Sequence, residues 1–393
     1  MLRRREFLER GALALLGSLA GGRAWAAGAR APGPGAAPPG AAAADPAHAL
    51  LVQSLRPENF ATPIGWFDRL ITPTDVFFVR SHFGAPAVVR DGRLRVEGMV
   101  RQPLDLGVTE LERLPQTTIT AVLQCAGNGR AFMDPRVPGV QWEHGAMGQA
   151  AWTGVRLRDL LGRAGVAAGA AHVGVSGVDR SPMPSVPAFH RSLPLARALD
   201  DTTLVALRMN GAPLTHAHGA PFRLIVPGWA ANHWMKWLAV VRVQDAEAPG
   251  FYMQTGYRVP KAPVEPGAAV PPENMTPLTA IPVKSVIARP VAGEQRPRGP
   301  QEVVGVAFSG AAGIARVEVS VDGGATWRAA ALEGEAGLGR WQVFRHRFDA
   351  APGRVRALAR ATDARGNAQP ERAAWNPSGY HWNAWHSVEW EVV

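Results

Sequence analysis

The chain has very little cysteine: a single one, Cys125, among 393 residues. One thiol cannot form an intramolecular disulfide framework, a four-cysteine zinc or iron–sulfur site, or a CxxCH haem attachment. Lysine is nearly as scarce. Of 42 basic residues only Lys236, Lys261 and Lys284 are lysines, and the rest are arginines. Charged residues make up only 19% of the chain, against 47% hydrophobic, which excludes a chain that is disordered through excess charge. There is no basic run and no RNA-binding signature to turn the net charge of +10 into a nucleic-acid footprint. Arginine instead offers a planar fork of donors that matches oxyanions, so a small anionic substrate fits this composition. No apolar stretch is long enough for a membrane span. The length allows two or three domains, each with a sizeable core.

The first 26 residues read as an export signal. Arg3, Arg4 and Arg5 precede Glu6-Phe7-Leu8, a small-apolar run from Gly11 to Gly22, and Ala24-Trp25-Ala26 as a cleavage site. Arg4-Arg5 followed by Glu-Phe-Leu resembles a twin-arginine signal, which carries folded proteins to the periplasm and so suits a cofactor inserted before export. Its removal takes the charge from +10 to about +7. Residues 27–50 are almost all Ala, Gly and Pro and read as a tether.

From 51 to about 270 an α+β body is expected. Thr118–Gln124 is a strand pattern ending at Cys125, Leu157–Ala164 and Leu193–Leu199 are short helices, and Leu224-Ile-Val226 is a buried strand. A proline-rich linker follows, placed at 271–284. From 285 to 393 the pattern is all-β: Val317, Val319 and Val321 alternate with polar residues before Asp322-Gly323-Gly324, and Trp341-Gln-Val-Phe and the 354–360 run alternate likewise. That pattern predicts an immunoglobulin-like sandwich without paired cysteines.

Four stretches carry chemistry. Cys125-Ala-Gly-Asn-Gly-Arg130 places a thiol between a strand end and a glycine turn, near a cation that favours the thiolate. Phe77-Phe-Val-Arg80-Ser-His82 delivers an arginine and a histidine from a strand-like run. His218-Gly-Ala-Pro-Phe-Arg223 leads on to Trp234-Met-Lys236-Trp; His216-x-His218 has zinc-like spacing but no third ligand. Gln254-Thr-Gly-Tyr257 holds one of only three tyrosines.

Taken in order from Thr72 to Trp390, these stretches resemble the sulfite oxidase family of molybdenum enzymes. The most specific run is Ser192-Leu-Pro-Leu-Ala-Arg-Ala-Leu-Asp, then Met209-Asn-Gly-Ala-Pro-Leu, then His218-Gly-x-Pro-x-Arg223. The resemblance implies a molybdopterin domain with Cys125 as the molybdenum ligand. It implies cofactor contacts at Phe78, Val79, Arg80, Ser81, His82, Asp179, His218, Arg223, Trp234, Met235 and Lys236. An oxyanion pocket of Arg80, Arg130, Trp142 and Tyr257 is implied as well. The activity implied is oxidation of sulfite to sulfate by oxo transfer. With no haem motif in the chain, electrons would pass to a separate periplasmic c-type cytochrome. The C-terminal sandwich, with Trp375-Asn-Pro-Ser-Gly and Asn383-Ala-Trp-His386, resembles the family's dimerisation domain and implies a homodimer. The family's eukaryotic enzymes carry an arginine where this chain has Ser378, and Arg136 and His144 are the candidates to compensate for it. Competing expectations are a related molybdenum enzyme acting on sulfane sulfur or a sulfoxide, and a periplasmic binding protein that keeps the fold without turnover.

Overall fold

The computed structural model describes residues 49–88 and 91–393, which belong to one compact unit. The expected export signal and the tether up to residue 48 lie outside the described residues.

Two five-stranded sheets build the first half. In one, Thr117–Gln124 pairs antiparallel with Met147–Arg156 along its whole length, and Met147–Arg156 pairs with Leu204–Met209. The far side of Leu204–Met209 carries the short strands Ala212–Pro213 and Arg223–Ile225. The last four residues of Thr117–Gln124 are all buried, as are the three of Arg223–Ile225, so neither reads as a half-exposed alternation. The second sheet runs Leu104–Gly107, Arg93–Gly98, Leu238–Gln244, His172–Gly177, His190–Pro194, with only the Arg93–Gly98 and Leu238–Gln244 pair parallel. Helix Leu157–Ala164 forms where expected. Leu157, Leu160, Leu161 and Ala164 repeat at helical spacing and all are buried, and Gly165 at φ 67° stops the helix.

The expected helix over Leu193–Leu199 forms only over Leu195–Ala198, and its first two residues, Leu193 and Pro194, end a strand. His190–Pro194 pairs with His172–Gly177, and only Leu195–Ala198 makes a single helical turn. Burial of Arg191, Ser192 and Leu193 in the sheet outweighs a local helix preference. The Phe77–His82 run is also less regular than a strand. Only Val79–Arg80 pairs, against Asn59 and Phe60, and Thr74–Val76 is a tight turn of 3-10 helix.

The second half is all-β. One sheet has the order Lys284–Arg289, Gly299–Phe308, Trp341–Ala350, Ala331–Glu333; the other has Gln295–Arg296, His386–Val392, Gly353–Asp363, Ile314–Ser320, Arg328–Ala329. His386, Val388, Trp390 and Val392 point inward while their alternate neighbours are exposed, the period-2 signature of a strand with one wet face. Side chains from both sheets, among them Ile287, Val303, Val317, Phe344, Ala359 and Trp390, form one core. A large core lies within the first half. A third cluster joins the halves: Phe67, Val122, Met147 and Ala230 pack with Leu278, Ile281, Phe308 and Trp341. Burying each of the larger side chains contributes about 1.5–3 kcal/mol, so separating the halves would expose a costly apolar seam. Among the described residues no helix is long and apolar enough to cross a membrane.

Candidate active site

Strand Thr117–Gln124 ends at Cys125, where the chain leaves the sheet and turns. The Cys125 amide donates to Ala146 O at 2.9 Å, and its carbonyl accepts from Asn128 N at 3.0 Å. Asn128 Oδ1 accepts from Ala146 N at 3.0 Å, so the turn is sewn to the strand start opposite. Gly129 has φ 92°, and a Cβ there would lie 2.8 Å from Trp382, so only glycine lets the loop approach that ring. Cys125 is mostly buried but reaches a cavity. Along its wall lie Phe78, Arg80, His82, Asp179, His218, Arg223, Trp234, Met235, Lys236 and Tyr257, brought together from five separate stretches of chain.

Buried positive charge dominates this wall. Arg223 donates from Nη1 to His218 O at 3.0 Å, stands over the Trp152 ring at 5.4 Å, and leaves its buried Nε without a partner. Complete burial pushes its pKa down to about 9. Lys236 Nζ donates to Ser81 Oγ and to Ala217 O, both at 3.0 Å, and its pKa is held far below the ordinary value by burial and then by Arg223. Asp179 is the one carboxylate in the wall, and burial raises its pKa against the opposing pull of Lys236. Two cations and Arg80 against one acid leave a cavity made for an anion. Asn232, also in the wall, has both amide atoms buried without a protein partner.

In the same wall, Arg80 donates from Nη2 to His82 Nδ1 at 3.1 Å and from Nη1 to Asn59 Oδ1 at 3.2 Å and to Ser81 O. The Tyr257 hydroxyl is 3.3 Å from the same Nδ1. Because Arg80 can only donate, Nδ1 must accept, which puts the His82 proton on Nε2. Burial and then Arg80 lower the His82 pKa to about 3, so this ring stays neutral. Tyr257 sits at φ 55° and stacks on Tyr380 with ring centroids 5.5 Å apart. Burial raises its pKa while Arg80, Arg191 and Arg130 oppose the shift.

Other expected site residues sit elsewhere. Val79 and Ser81 flank Arg80 behind the wall, both buried. Arg130 does not line the cavity: its Nε donates to Ser378 O and its Nη1 to Val140 O, both at 3.0 Å, and its guanidinium lies over Tyr380 at 5.4 Å. Trp142 is fully buried outside the wall, with Nε1 unpartnered. His216 bonds Pro86 O while His218 bonds Thr74 O, so the pair does not converge, and no cluster of three or more His, Cys, Asp or Glu able to hold a metal occurs among the described residues. Of the two compensating candidates, Arg136 is exposed and His144 packs on His386, Phe132 and Trp382. Sequence reasoning missed Asn232, Arg191 and Tyr380; Arg191 sits in the run His-Arg-Ser-Leu-Pro, which carries no local signal of burial.

One soft sulfur donor beside a basic cavity with unpartnered amide and guanidinium atoms is compatible with a metal whose other ligands come from an anionic organic group. The comparisons with known proteins place the chain among molybdopterin oxidoreductases. The oxidoreductase molybdopterin binding domain family matches residues 82–252, and the Mo-co oxidoreductase dimerisation domain family matches 276–392. The chain is 36% identical over 358 residues to mitochondrial sulfite oxidase of Homo sapiens, covering 86% of this chain and 65% of that one. It is 31% identical to sulfite oxidase of Arabidopsis thaliana, covering 86% and 93%. It also resembles the sulfane dehydrogenase SoxCD of Paracoccus pantotrophus, at TM-score 0.74 and 30% identity, over 86% of this chain and 85% of that one. The protein belongs to the sulfite oxidase family of molybdenum oxidoreductases.

Proposed function

We propose that this protein is a periplasmic sulfite dehydrogenase: it oxidises sulfite to sulfate with water as the oxygen source, releasing two protons and passing two electrons, one at a time, to an external c-type cytochrome. The observation that carries the reading is Cys125 in the wall of a cavity that also carries Arg80, Arg223 and Lys236. When bound, the molybdenum–pterin group supplies two-electron oxo-transfer chemistry. Cys125 would hold its metal, with Arg223, Lys236, His218 and Asn232 around the pterin and its phosphate, and Phe78, Asp179, Trp234 and Met235 shaping the slot. A lysine at the phosphate end acts as a compact point charge. Arg80 orients the dianion through charge-assisted hydrogen bonds, and the Tyr257 hydroxyl, 3.3 Å from His82 Nδ1, turns its one proton from that nitrogen toward the reacting oxygen. Arg130 secures the cysteine loop to the Ser378 segment and adds positive potential from behind. The C-terminal sheets we read as an immunoglobulin-like sandwich that pairs two copies of the chain.

A second reading, oxidation of sulfane sulfur, draws support from the likeness to SoxCD and from Ser378, which leaves the site one cation short. Molybdenum analysis together with sulfite-dependent reduction of cytochrome c separates the two. The sulfite reading expects stoichiometric metal and saturable turnover; turnover with persulfide and none with sulfite overturns it. Within the sulfite reading, Arg80→Ala removes a charge-assisted contact of about 1.5–3 kcal/mol, so the KM for sulfite should rise roughly 10- to 100-fold. An unchanged KM would remove Arg80 from the substrate site.

The periplasmic location rests on the arginine pair near the N-terminus. Replacing Arg4 and Arg5 with lysine should leave active enzyme in the cytoplasm on fractionation. Undiminished periplasmic enzyme would refute the twin-arginine reading without touching the chemistry.

A further inference from the structure

A fully buried arginine without a counter-ion stands directly behind Tyr257. Arg191 lies on the edge strand His190–Pro194 of the second sheet and has no exposed surface. Its Nη1 donates to Tyr252 O, its Nη2 is 3.1 Å from His233 Nε2, its Nε has no partner, and its guanidinium carbon lies 5.6 Å from the Tyr257 ring centre. Among the described residues no carboxylate makes an ion pair with it. The carboxylate that acts on it electrostatically, Glu247, is engaged by Arg258 at 3.3 Å. Burying a cation this way is costly, and the cost falls when an anion occupies the space in front.

The surroundings say which space that is. Phe189, two residues earlier, is in the cavity wall, as are Asn232, next to His233, and Tyr257 itself. The aromatic rings of Tyr252, Phe189 and His82 pack together on this side, keeping water away and the local dielectric low. Arg130, by contrast, is turned to the backbone of Ser378 and Val140, and Ser378 carries no charge. The cation missing at 378 therefore has a replacement of different origin, entering from a sheet edge rather than from the C-terminal domain.

We propose that Arg191 is a positioning residue of the oxyanion site, which seats Tyr257 and supplies from behind its ring the positive potential that sulfite needs beyond Arg80. The inference rests on the sulfite reading for its substrate, but the site it names is one for any small dianion of that shape, product sulfate included.

The test uses the molybdenum-loaded enzyme with Arg191→Met and Arg191→Lys. Steady-state oxidation of sulfite with a one-electron acceptor gives KM and kcat, and calorimetric titration with sulfate gives anion affinity without turnover. Loss of one partly screened cation should raise KM and the sulfate dissociation constant together, on the order of tenfold, with kcat changed by no more than about threefold. Arg191→Lys should recover most of the loss, because it restores charge without the fork. Unchanged anion affinity in Arg191→Met overturns the proposal. So does a fall in kcat alone, or a loss that lysine does not rescue, since each marks a purely structural arginine. If Arg191→Met does not fold, Arg191→Gln and Arg191→Lys carry the same comparison. Should the wild-type enzyme bind sulfate yet fail to oxidise sulfite, the sulfite reading falls, and the titrations alone decide Arg191. Should it bind neither anion, the oxyanion site itself is refuted.

Discussion

Cys125→Ser is expected to keep its fold and lose sulfite-dependent turnover by at least about 10³-fold, which is about 4 kcal/mol of transition-state stabilisation. The stability half of this expectation follows from size and place. Serine is nearly isosteric with cysteine, and the two backbone bonds that seat residue 125, to Ala146 and from Asn128, do not involve its side chain. The activity half follows from the donor. A hydroxyl is hard and far less acidic than a thiol, so it cannot give a soft, charged ligand at neutral pH. Nothing else among the described residues substitutes for it, since they hold no second cysteine and no metal-binding cluster. Thermal unfolding, metal content and cytochrome reduction on one preparation check all parts. A serine variant with undiminished turnover would end the assignment of Cys125 as ligand.

Lys284→Met is expected to make the protein more stable at neutral pH. Lys284 begins the first strand of the C-terminal half, is fully buried, and its Nζ has no hydrogen-bond partner. It faces the Trp382 ring at 5.2 Å and the rings of His144, His381 and His386, and no acid. The histidines are held neutral by burial, with Lys284 adding to the effect: His381 is lowered to about 4 and His386 to about 3. Burial brings the Lys284 pKa from 10.5 down to about 7. The sign follows from proton counting. Between pH 7 and 10.5 the unfolded chain holds the lysine proton and the native protein does not, so stability rises with pH by about 1.4 kcal/mol per unit. Below pH 7 both states are protonated and this group's contribution levels off at its least favourable value. Methionine has similar volume and no charge, so the variant should gain on the order of 4 kcal/mol near pH 7 and lose that part of the pH slope. Denaturant unfolding of both proteins from pH 6 to 10 tests it, and parallel stability curves would show that Lys284 has an anionic partner.

The two lysines that matter here show how differently one residue type can be used. Lys236 is also buried, but its Nζ meets Ser81 Oγ and Ala217 O, and Asp179 opposes the lowering of its pKa by burial and Arg223. It is placed to meet a ligand. Lys284 meets no acceptor and is a cost to the fold. Only three-dimensional neighbours distinguish them, since both sit in apolar stretches of sequence.

Much of the site was legible before any fold was known, because its chemistry is concentrated in short contiguous runs. Cys125 at the end of a β-patterned segment, the Phe77–His82 run, His218 to Arg223 and Trp234 to Lys236 each carry rare residue types at close spacing. Helix Leu157–Ala164 was equally plain, since a 3.6-residue apolar period is a local property that burial then reinforces. Tertiary structure alone decided how distant charges were placed. It turned Arg130 onto the carbonyl of Ser378, 248 residues away, drew Leu193 out of a helix and into a sheet edge, and set Arg191 behind Tyr257. The physical reason is that a side chain's burial and partners come from strands far apart in sequence, and the free energy of packing them exceeds any preference of the local chain.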